Sequence, residues 1–450
     1  MRLYLSSSFR RFRYLTYLNS QRRNLLTIAI ETSCDDTSVA VLEKHSNSSA
    51  TLHFHSKITS DNRSYGGIHP VTSHVSHQKN LASLLCHALE RLPSVPAGDQ
   101  SIQDVFKMGE RLVKKPDFVT VTRGPGMRAS LICGFDTAKG LAVGWQVPLV
   151  GVNHMQAHAL TPRLLSALEF PQTAVKPRLE NKPKFPFLSL LVSGGHTMLV
   201  YSRSSWEYEI IANTTDISLG DMLDKSARTV LPASLICSSA DVMYGRLLEE
   251  FAYPQPFTGY DYIPPKNSFT AHNGMKYGYD WRITPPYMCP GPNGPLEYSN
   301  CFSFSGIGSM ARSIIEKSPD MCAIERRCLV KTVLEVAFEH VASRVLYALT
   351  RKEIRDVSVL VISGGVASNR LLQTILRMIL DSRGFQHVLL AVPSPSFCTD
   401  NAAMIAWTGI EMFEAGWSTD LHAVALKEWS IDSKSDNGGI LGVDGWVRLK

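Results

Sequence analysis

The chain has 450 residues, 44% of them hydrophobic and 19% charged, which is typical of a globular protein with two domains. No apolar run approaches the length that spans a bilayer, so a membrane-spanning protein is not expected. The nine cysteines include no Cys-x-x-Cys pair. This argues against a disulfide scaffold and a zinc ribbon, and favours a reducing compartment.

The first 24 residues form a separate segment. They contain serines, leucines and tyrosines, no acid, and the arginines Arg2, Arg10, Arg11, Arg13, Arg22 and Arg23. This composition predicts a mitochondrial transit peptide and a matrix location; the alternative is a disordered basic arm that binds nucleic acid. The six arginines account for the formal net charge of +6, so binding of nucleic acid by the rest of the chain needs a local basic patch.

The next segment alternates strand, turn and helix. Residues 25–30 and 39–42 are predicted to be buried strands, joined by a polar turn at 31–38 that is rich in acids and hydroxyls. Apolar positions between residues 74 and 92 recur with helical spacing. A loop is expected from about residue 93 to residue 115.

A strand at 118–122 runs into Arg123-Gly124-Pro125-Gly126 and then into a helix through Ala142. This turn is a plausible anion cradle, because helix N-termini present free N–H groups. After another strand come His154 and His158, which share one face of a helix and can hold one metal ion. Solvated or core histidines are the alternative.

A strand-and-glycine element occurs twice in the second half. Residues 187–192 are a predicted strand that ends in Ser193-Gly194-Gly195-His196-Thr197, and residues 358–362 a strand that ends in Ser363-Gly364-Gly365. The stretch 253–300 lacks periodicity and is expected to be an insertion or a long functional loop. A long helix is predicted at 324–349, a strand at 387–392 and a capped helix at 400–412. The repeat favours a duplicated α/β fold with a nucleotide between two lobes.

These motifs together resemble one known family, the tRNA adenosine threonylcarbamoyltransferases, once called O-sialoglycoprotein endopeptidases. The matching motifs run in order over residues 26–412. They are Ile30-Glu31-Thr32-Ser33-Cys34-Asp35-Asp36-Thr37, Gly66-Gly67-Ile68, Gly124-Pro125-Gly126, His154-x-x-x-His158, Val192-Ser193-Gly194-Gly195-His196-Thr197, Phe302-Ser303-Phe304-Ser305-Gly306, Gly364-Gly365-Val366-x-x-Asn369 and Cys398-Thr399-Asp400-Asn401. With the leader, the chain looks like the mitochondrial branch.

The resemblance implies an α/β, two-lobed actin-like ATPase fold built from duplicated RNase H-like units. The expected first lobe covers residues 25–152 and is completed by 398–425. The second covers 153–397 with the insertion at 253–300, and 426–450 is a C-terminal tail. The implied reaction transfers threonylcarbamoyl from threonylcarbamoyl-AMP to N6 of the adenosine 3′ of the anticodon, in mitochondrial tRNAs that read codons beginning with A. One divalent metal, iron or zinc, and a homodimer are also implied.

The resemblance also assigns residues. His154, His158 and Asp400 are the implied metal ligands, although Asp400 or Asn401 could instead cap the helix that follows. Asp35, Asp36 and His196 are candidate catalytic residues, the two acids for orienting the amine or a metal-bound water. The expected contacts to the adenylate are Ser193, Gly194, Gly195, His196, Thr197, Asp224, Gly245 and Asn369. Basic residues that could meet tRNA phosphates are Arg123, Lys176, Arg178, Lys182 and Lys184, with a solvated surface as the alternative.

The chain departs from the family pattern in three places. Gly220-Asp221 replaces the usual Gly-Glu, and Tyr244-Gly245-Arg246 stands where Tyr-Pro-Gly-Gly-Pro is usual, which puts the role of Gly245 in doubt. The third departure is the 253–300 segment, which could alter access of tRNA or of partners.

Three other functions compete with the transferase. A metalloprotease needs a glutamate base beside the histidines, as in H-E-x-x-H, but Met155, Gln156 and Ala157 separate them here. A sugar kinase or chaperone-like ATPase of the same fold needs no histidine pair. A non-catalytic nucleotide-binding scaffold is disfavoured because every metal and nucleotide position is retained.

Overall fold

The computed structural model describes residues 24–95, 104–169, 181–237, 244–254, 259–266, 272–273, 277–288, 297–354 and 356–449. All of the predicted leader except residue 24 lies outside these residues, as do Lys176 and Arg178. The chain divides into two compact units: unit 1 comprises residues up to Phe185, Arg203–Glu209 and Asp400–Lys450, and unit 2 comprises Pro186–Ser202 and Ile210–Thr399.

Strands and helices alternate along the described chain. The first part contains β1 Leu25–Glu31, β2 Asp36–Lys44, β3 Ala50–Thr59, α1 Pro70–Glu90, β4 Val105–Met108, β5 Arg111–Lys114, β6 Phe118–Gly124, α2 Arg128–Trp145, β7 Leu149–Asn153 and α3 His154–Glu169. The middle contains β8 Phe187–Val192, β9 Thr197–Ser202, β10 Tyr208–Thr214, α4 Leu219–Val230, α5 Ala233–Cys237, α6 Gly245–Ala252, β11 His272–Asn273, β12 Arg282–Ile283, β13 Cys301–Phe302, α7 Ser305–Lys317, α8 Ala323–Leu349, β14 Val359–Ser363, α9 Arg370–Ser382, β15 Leu389–Ala391 and α10 Pro395–Cys398. The last part contains α11 Ala402–Glu414, β16 Trp417–Thr419 and β17 Trp446–Arg448.

Two sheets share one strand arrangement. A seven-stranded sheet has the order β17-β16-β7-β6-β1-β2-β3, and a six-stranded sheet has the order β13-β10-β9-β8-β14-β15. In both, a first strand (β1 or β8) pairs antiparallel with the next and parallel with a later one (β6 or β14). The segments β3-β2-β1-β6-β7 and β10-β9-β8-β14-β15 therefore repeat one pattern. The predicted duplicated α/β class is confirmed, with the sheet order of the actin-like architecture.

The sheet of unit 1 is covered by helices on both faces. Leu26, Ile28 and Ile30 of β1 pack in one apolar cluster with side chains of α1 and α2. Because successive strand residues point to opposite faces, Thr27, Ala29 and Glu31 point to the other face, against which α11 packs. Helix α3 packs in turn on α11. This alternation places the carboxylate of Glu31 on the side of the sheet where α3 and α11 lie.

The core of unit 2 surrounds helix α8. Its residues Leu329, Val333, Phe338 and Val345 are fully or almost fully buried, together with strand β8 and the apolar face of helix α9. The predicted insertion contributes to this core. Among its described residues, Tyr253, Tyr262 and Ile283 are buried, and Tyr262 Oη donates to Glu339 Oε1 of α8 at 2.9 Å. These parts of the insertion are thus packed against the body of unit 2.

Three parts of the chain differ from expectation. The expected lobe boundary at residue 152 falls inside unit 1, which extends to Phe185. Helix α3 follows this boundary and belongs to unit 1 because it packs on α11. The expected tail contributes β17 to the seven-stranded sheet. The loop expected at 93–115 contains the antiparallel hairpin β4–β5. Among the described residues, no helix combines the length and apolar character needed to cross a bilayer.

Candidate functional site

Three parallel strands of unit 1 end at one edge of its sheet. Strand β6 pairs parallel with both β1 and β7. The carboxyl ends of parallel strands meet, and ligands of α/β sheets commonly bind there. Residue Glu31 ends β1, and His154 follows directly after β7. The sheet thus brings together two residues that lie far apart in sequence.

The predicted histidine pair lies on the first turns of α3. Asn153 caps this helix, because its Oδ1 accepts hydrogen bonds from the backbone N–H groups of Met155 at 2.9 Å and Gln156 at 3.1 Å. The Nε2 atoms of His154 and His158 lie 3.2 Å apart, and the rings meet edge to face with centroids 4.7 Å apart. Both side chains are buried, with 7% and 3% of the residue surface exposed. The two imidazoles therefore converge on one point.

Asp400 completes the cluster. Its Oδ1 lies 3.1 Å from His158 Nε2 and 3.3 Å from His154 Nε2. The helix that follows is capped by Asn401 instead, whose Oδ1 accepts from the N–H of Met404 at 3.0 Å. The open alternative between Asp400 and Asn401 as the cap is thereby resolved, and the Asp400 carboxylate faces the histidines.

Glu31 is a site residue that the sequence interpretation did not assign. Its Oε2 lies 3.3 Å from His154 Nδ1, and Ser33 Oγ lies 3.2 Å from the same nitrogen. Glu31 also accepts hydrogen bonds from Thr122 Oγ1 and, at 2.5 Å, from the N–H of Ser33. An ionised carboxylate only accepts, so Nδ1 of His154 carries a proton, which makes Nε2 the nitrogen that a metal ion would take. The sequence signal for this role is an acid at the end of a mostly apolar strand, Leu25–Glu31.

Charges dominate the electrostatics of the cluster. Burial would lower the pKa of His154, but the charges of Asp400 and Glu31 hold it well above its ordinary value. Burial would raise the pKa of Asp400, but His154 holds it well below its usual range. In contrast, burial lowers the pKa of His158, whose Nδ1 has no hydrogen-bond partner among the described residues. His154 is therefore the histidine whose orientation the surrounding residues fix.

The chemistry of this donor set fits a divalent transition metal. One ligand atom each from His154, His158 and Asp400 lies within 4.8 Å of the others. Two imidazole nitrogens and one carboxylate oxygen suit zinc or iron and leave coordination positions open for a substrate. The Asp400 side chain is 23% exposed, so the cluster is accessible from that side. These three residues would hold the ion.

The two acids of the first turn have different surroundings. Asp36 forms an ion pair with Lys57 at 2.7 Å and accepts a hydrogen bond from Thr59, so its carboxylate is held between strands β2 and β3. Asp35 has no such cation among the described residues. Burial, followed by the charges of Asp36 and Asp400, raises the pKa of Asp35 to about 6. The charge of Asp400 raises the pKa of both acids, so the two candidates differ in their hydrogen-bond and ion-pair partners.

Unit 2 holds the predicted Ser-Gly-Gly-His turn at the end of β8. Ser193 Oγ accepts hydrogen bonds from the N–H groups of His196 at 3.1 Å and Gly195 at 3.3 Å. A Cβ added to Gly194 or Gly195 would meet nothing within 4 Å, so their exposed backbone can approach a ligand. Thr197 differs: it is fully buried, and its Oγ1 accepts from the N–H of Leu219 at 2.8 Å. The hydroxyl of Thr197 therefore anchors the turn to α4.

The remaining predicted contacts also lie in unit 2, and the side-chain oxygens of two of them already accept internal hydrogen bonds. Asp224 Oδ1 accepts from the N–H of Tyr244 at 2.8 Å, which brings Asp224 next to Gly245. Burial raises the pKa of Asp224 to about 6, although the N–H of Tyr244 opposes this. Asn369 Oδ1 caps α9 by accepting from the N–H of Leu372 at 3.0 Å.

A tight backbone contact fixes the second glycine turn of unit 2. Gly364 has φ +100°, and a Cβ there would lie 2.3 Å from the carbonyl oxygen of Val192. A side chain at this position would therefore push the turn that carries Asn369 away from the end of β8.

Two weaker predictions concern the segment after β6. Within the Gly-Pro-Gly turn and its border, two N–H groups are not free to bind an anion, because that of Gly126 donates to Lys427 O at 3.1 Å and that of Met127 to Ser33 O at 2.8 Å. Arg123 is not a surface contact for phosphates, because only 2% of it is exposed and its Nε donates to Val424 O at 2.9 Å. Both groups instead hold unit 1 together.

Glu31→Gln is expected to weaken metal binding by about 10- to 100-fold, because the acceptor that orients a ligating histidine loses its charge. Competition with a chromogenic chelator measures this affinity without any assay of activity. Glu43→Gln is the matched control, since Glu43 is a mostly buried glutamate that pairs with Lys114 and His53 outside the cluster. An affinity equal to that of the wild type would contradict the orienting role of Glu31.

Comparisons with known proteins match the chain to a family model, to named relatives and to a solved structure. Residues 53–407 match the family model described as TsaD: tRNA N6-adenosine threonylcarbamoyltransferase. A Schizosaccharomyces pombe protein named "tRNA N6-adenosine threonylcarbamoyltransferase, mitochondrial" is 38% identical over 95% of this chain and 90% of its own length. A Wigglesworthia glossinidia brevipalpis protein named "tRNA N6-adenosine threonylcarbamoyltransferase" is 28% identical over 91% of this chain and 99% of its own. The crystal structure of T. kodakarensis HypF covers 87% of this chain and 48% of its own, with 12% identity and a TM-score of 0.42.

Proposed function

Since the chain belongs to the tRNA N6-adenosine threonylcarbamoyltransferase family, we propose that it transfers threonylcarbamoyl from threonylcarbamoyl-AMP to N6 of the adenosine 3′ of the anticodon, in mitochondrial tRNAs that read codons beginning with A. The observation that carries this proposal is the convergence of His154, His158 and Asp400 on one point of unit 1. A metalloprotease would need a glutamate beside the histidines to act as a general base. Glu31 instead accepts a hydrogen bond from His154 Nδ1.

The proposed reaction is an acyl transfer. A bond forms between adenosine N6 and the carbamoyl carbon, the bond from that carbon to the phosphate oxygen breaks, AMP leaves, and N6 loses one proton. An iron or zinc ion held by His154, His158 and Asp400 would supply Lewis acidity toward the substrate oxygens. The residues of the chain must then hold both reactants and receive the proton.

In unit 1, Asp35 is the residue proposed to meet the amine. Its pKa of about 6 keeps the carboxylate ionised near neutral pH while leaving it basic enough to accept a proton. Asp36 cannot easily take this role, because Lys57 and Thr59 occupy its oxygens. Asp36 is proposed to set the position of the turn and to raise the proton affinity of its neighbour.

In unit 2, the turn from Ser193 to His196 is proposed to hold the phosphate and acyl end of the adenylate through backbone N–H groups. The open space beside Gly194 and Gly195 supports this role. The half-buried His196 is proposed to donate to a phosphate oxygen. Asp224, Gly245 and Asn369 are proposed to contact the nucleoside, with Thr197 supporting the turn from below.

The cellular location and the oligomeric state of the protein are also proposals. The arginine-rich leader and the mitochondrial S. pombe relative support a mitochondrial location, for which the matrix is the compartment we propose. The homodimer is proposed from the family resemblance. Light scattering of the purified protein measures the oligomeric state, and imaging of a tagged full-length chain measures the location.

The direct test incubates the protein, lacking residues 1 to 24, with threonylcarbamoyl-AMP and an unmodified mitochondrial tRNA of the stated class. The tRNA is then digested and its nucleosides are measured by mass spectrometry. Threonylcarbamoyladenosine is the expected product, and a tRNA with another base 3′ of the anticodon is the control. Failure to form product, with adenylate and metal bound, would overturn the proposal.

A further inference from the structure

The buried face of α1 changes character along the helix. Its C-terminal part buries Leu81, Leu84, Leu85 and Ala88, as expected for an amphipathic helix. Its N-terminal part buries Ser73 and His77 at the same helical spacing. A fully buried histidine among apolar residues is costly unless both ring nitrogens are bonded. The partners of His77 therefore indicate why a polar residue stands there.

Both ring nitrogens of His77 bond to the acidic turn or its border. Its Nε2 donates to the carbonyl oxygen of Cys34 at 2.9 Å, and its Nδ1 lies 2.8 Å from Thr37 Oγ1. A carbonyl only accepts, so the Nε2 carries the proton, and Nδ1 accepts from the threonine hydroxyl. His77 thus spans the turn from the residue before Asp35 to the residue after Asp36.

The other side of the turn is held from the segment after β3. The N–H of Ser60 donates to the carbonyl oxygen of Asp35 at 3.0 Å, and Asn62 Nδ2 lies 3.5 Å from Asp35 Oδ2. Ser60 Oγ in turn lies 3.1 Å from Ser73 Oγ, the other polar side chain on the buried face of α1. Helix α1 therefore reaches the acidic turn directly through His77 and indirectly through Ser73.

We propose that His77 is a positioning residue, which acts through the Cys34 carbonyl to hold the carboxylate of Asp35 in its working place. This inference rests on the proposed function only for the chemistry of Asp35; the tether itself concerns the backbone of residues 34–37. A shift of about 1 Å in a reacting group can lower a rate about 100-fold, so a tether of this kind affects turnover more than binding.

Substitution of His77 by glutamine or by asparagine tests its two hydrogen bonds one at a time. The amide nitrogen of glutamine can take the place of Nε2 and donate to Cys34, whereas the shorter asparagine reaches only toward Thr37. We expect His77→Asn to lower kcat about 10- to 100-fold with an unchanged KM for threonylcarbamoyl-AMP, and His77→Gln to restore most of the activity. Equal losses in both variants would overturn the proposal.

A double-mutant cycle with Asp35→Asn tests whether His77 acts through Asp35. Coupled residues give non-additive effects, so His77→Asn should have little further effect on kcat once Asp35 is replaced. Additive losses would mean that His77 acts elsewhere. Leu81→Ala, one helical turn along the same buried face, is the control for loss of stability without loss of the tether.

Hydrogen exchange of residues 34–38, followed by mass spectrometry, tests the tether without any assay of activity. Exchange should be faster in His77→Asn than in the wild type, and close to the wild type in His77→Gln, which keeps the bond to the Cys34 carbonyl. Unchanged exchange in His77→Asn would overturn the tether. If the wild-type protein showed no transferase activity, that result would count against the proposed function, and the hydrogen-exchange test of the tether would still apply.

Discussion

His158→Ala is expected to remove the metal from the protein and to lower kcat at least about 1,000-fold. The substitution deletes the Nε2 that lies 3.1 Å from Asp400 and 3.2 Å from the Nε2 of His154. Only one imidazole and one carboxylate would remain, too few for tight binding of zinc or iron. Lewis-acid stabilisation is worth several kcal/mol in a transition state, and each ~1.4 kcal/mol changes a rate tenfold.

Elemental analysis of the purified variant measures metal per chain, and the nucleoside assay measures turnover. His53→Ala is the matched control, because this histidine of β3 bonds Glu43 at 3.0 Å and lies outside the cluster. It should retain both metal and activity. Full metal content in His158→Ala would refute the assignment of the ligands, whereas lost metal with full activity would refute the role of the ion in the reaction.

Asp35→Asn is expected to have opposite effects on activity and stability. Loss of the proton acceptor should lower kcat about 100- to 10,000-fold, the usual contribution of general base catalysis. The same change should raise the free energy of unfolding at about pH 7.5 by about 1–3 kcal/mol, because the pKa of this carboxyl is raised from 3.8 in the unfolded chain to about 6. The ionised carboxylate is thus destabilising in the folded protein.

The raised pKa of Asp35 determines the pH range in which Asp35→Asn affects stability. The folded protein holds the Asp35 proton up to about pH 6 and the unfolded chain only to 3.8, so stability falls as the pH rises between these values. Asp35→Asn lacks this fall in stability. The difference between its free energy of unfolding and that of the wild type should therefore grow from about pH 4 to about pH 6 and stay constant at higher pH. Denaturant titrations at several pH values measure it.

Glu43→Gln is the control with the opposite sign. Although burial would raise the pKa of Glu43, His53 and Lys114 lower it to about 2. Its ionised form therefore stabilises the fold fully above about pH 4.5, and the substitution should lower the free energy of unfolding near neutral pH. A loss of stability in Asp35→Asn like that in Glu43→Gln would show that Asp35 is structural.

Much of the site follows from local sequence. The spacing of His154 and His158 places both on one helix face, because side chains four residues apart are neighbours there. The strands that end in Ser193 and Ser363 are continuous apolar runs that stop at glycines, so the sequence pattern alone locates their turns. The order of motifs is sufficient to indicate the family, which the comparisons confirm.

Tertiary structure decided the roles that depend on pairing between distant residues. Glu31 meets His154 because β1 and β7 both run parallel to β6, and His77 meets the acidic turn because α1 packs on β2. Sequence could not separate Asp400 from Asn401 as a helix cap, since both side chains cap well and only the direction of each in space distinguishes them. It also could not reveal that Arg123 is buried, because an arginine beside a glycine turn has the same local pattern in a core as on a surface. Local periodicity determines elements and motifs, whereas the partner of a buried polar group is set by which strand ends the fold brings together.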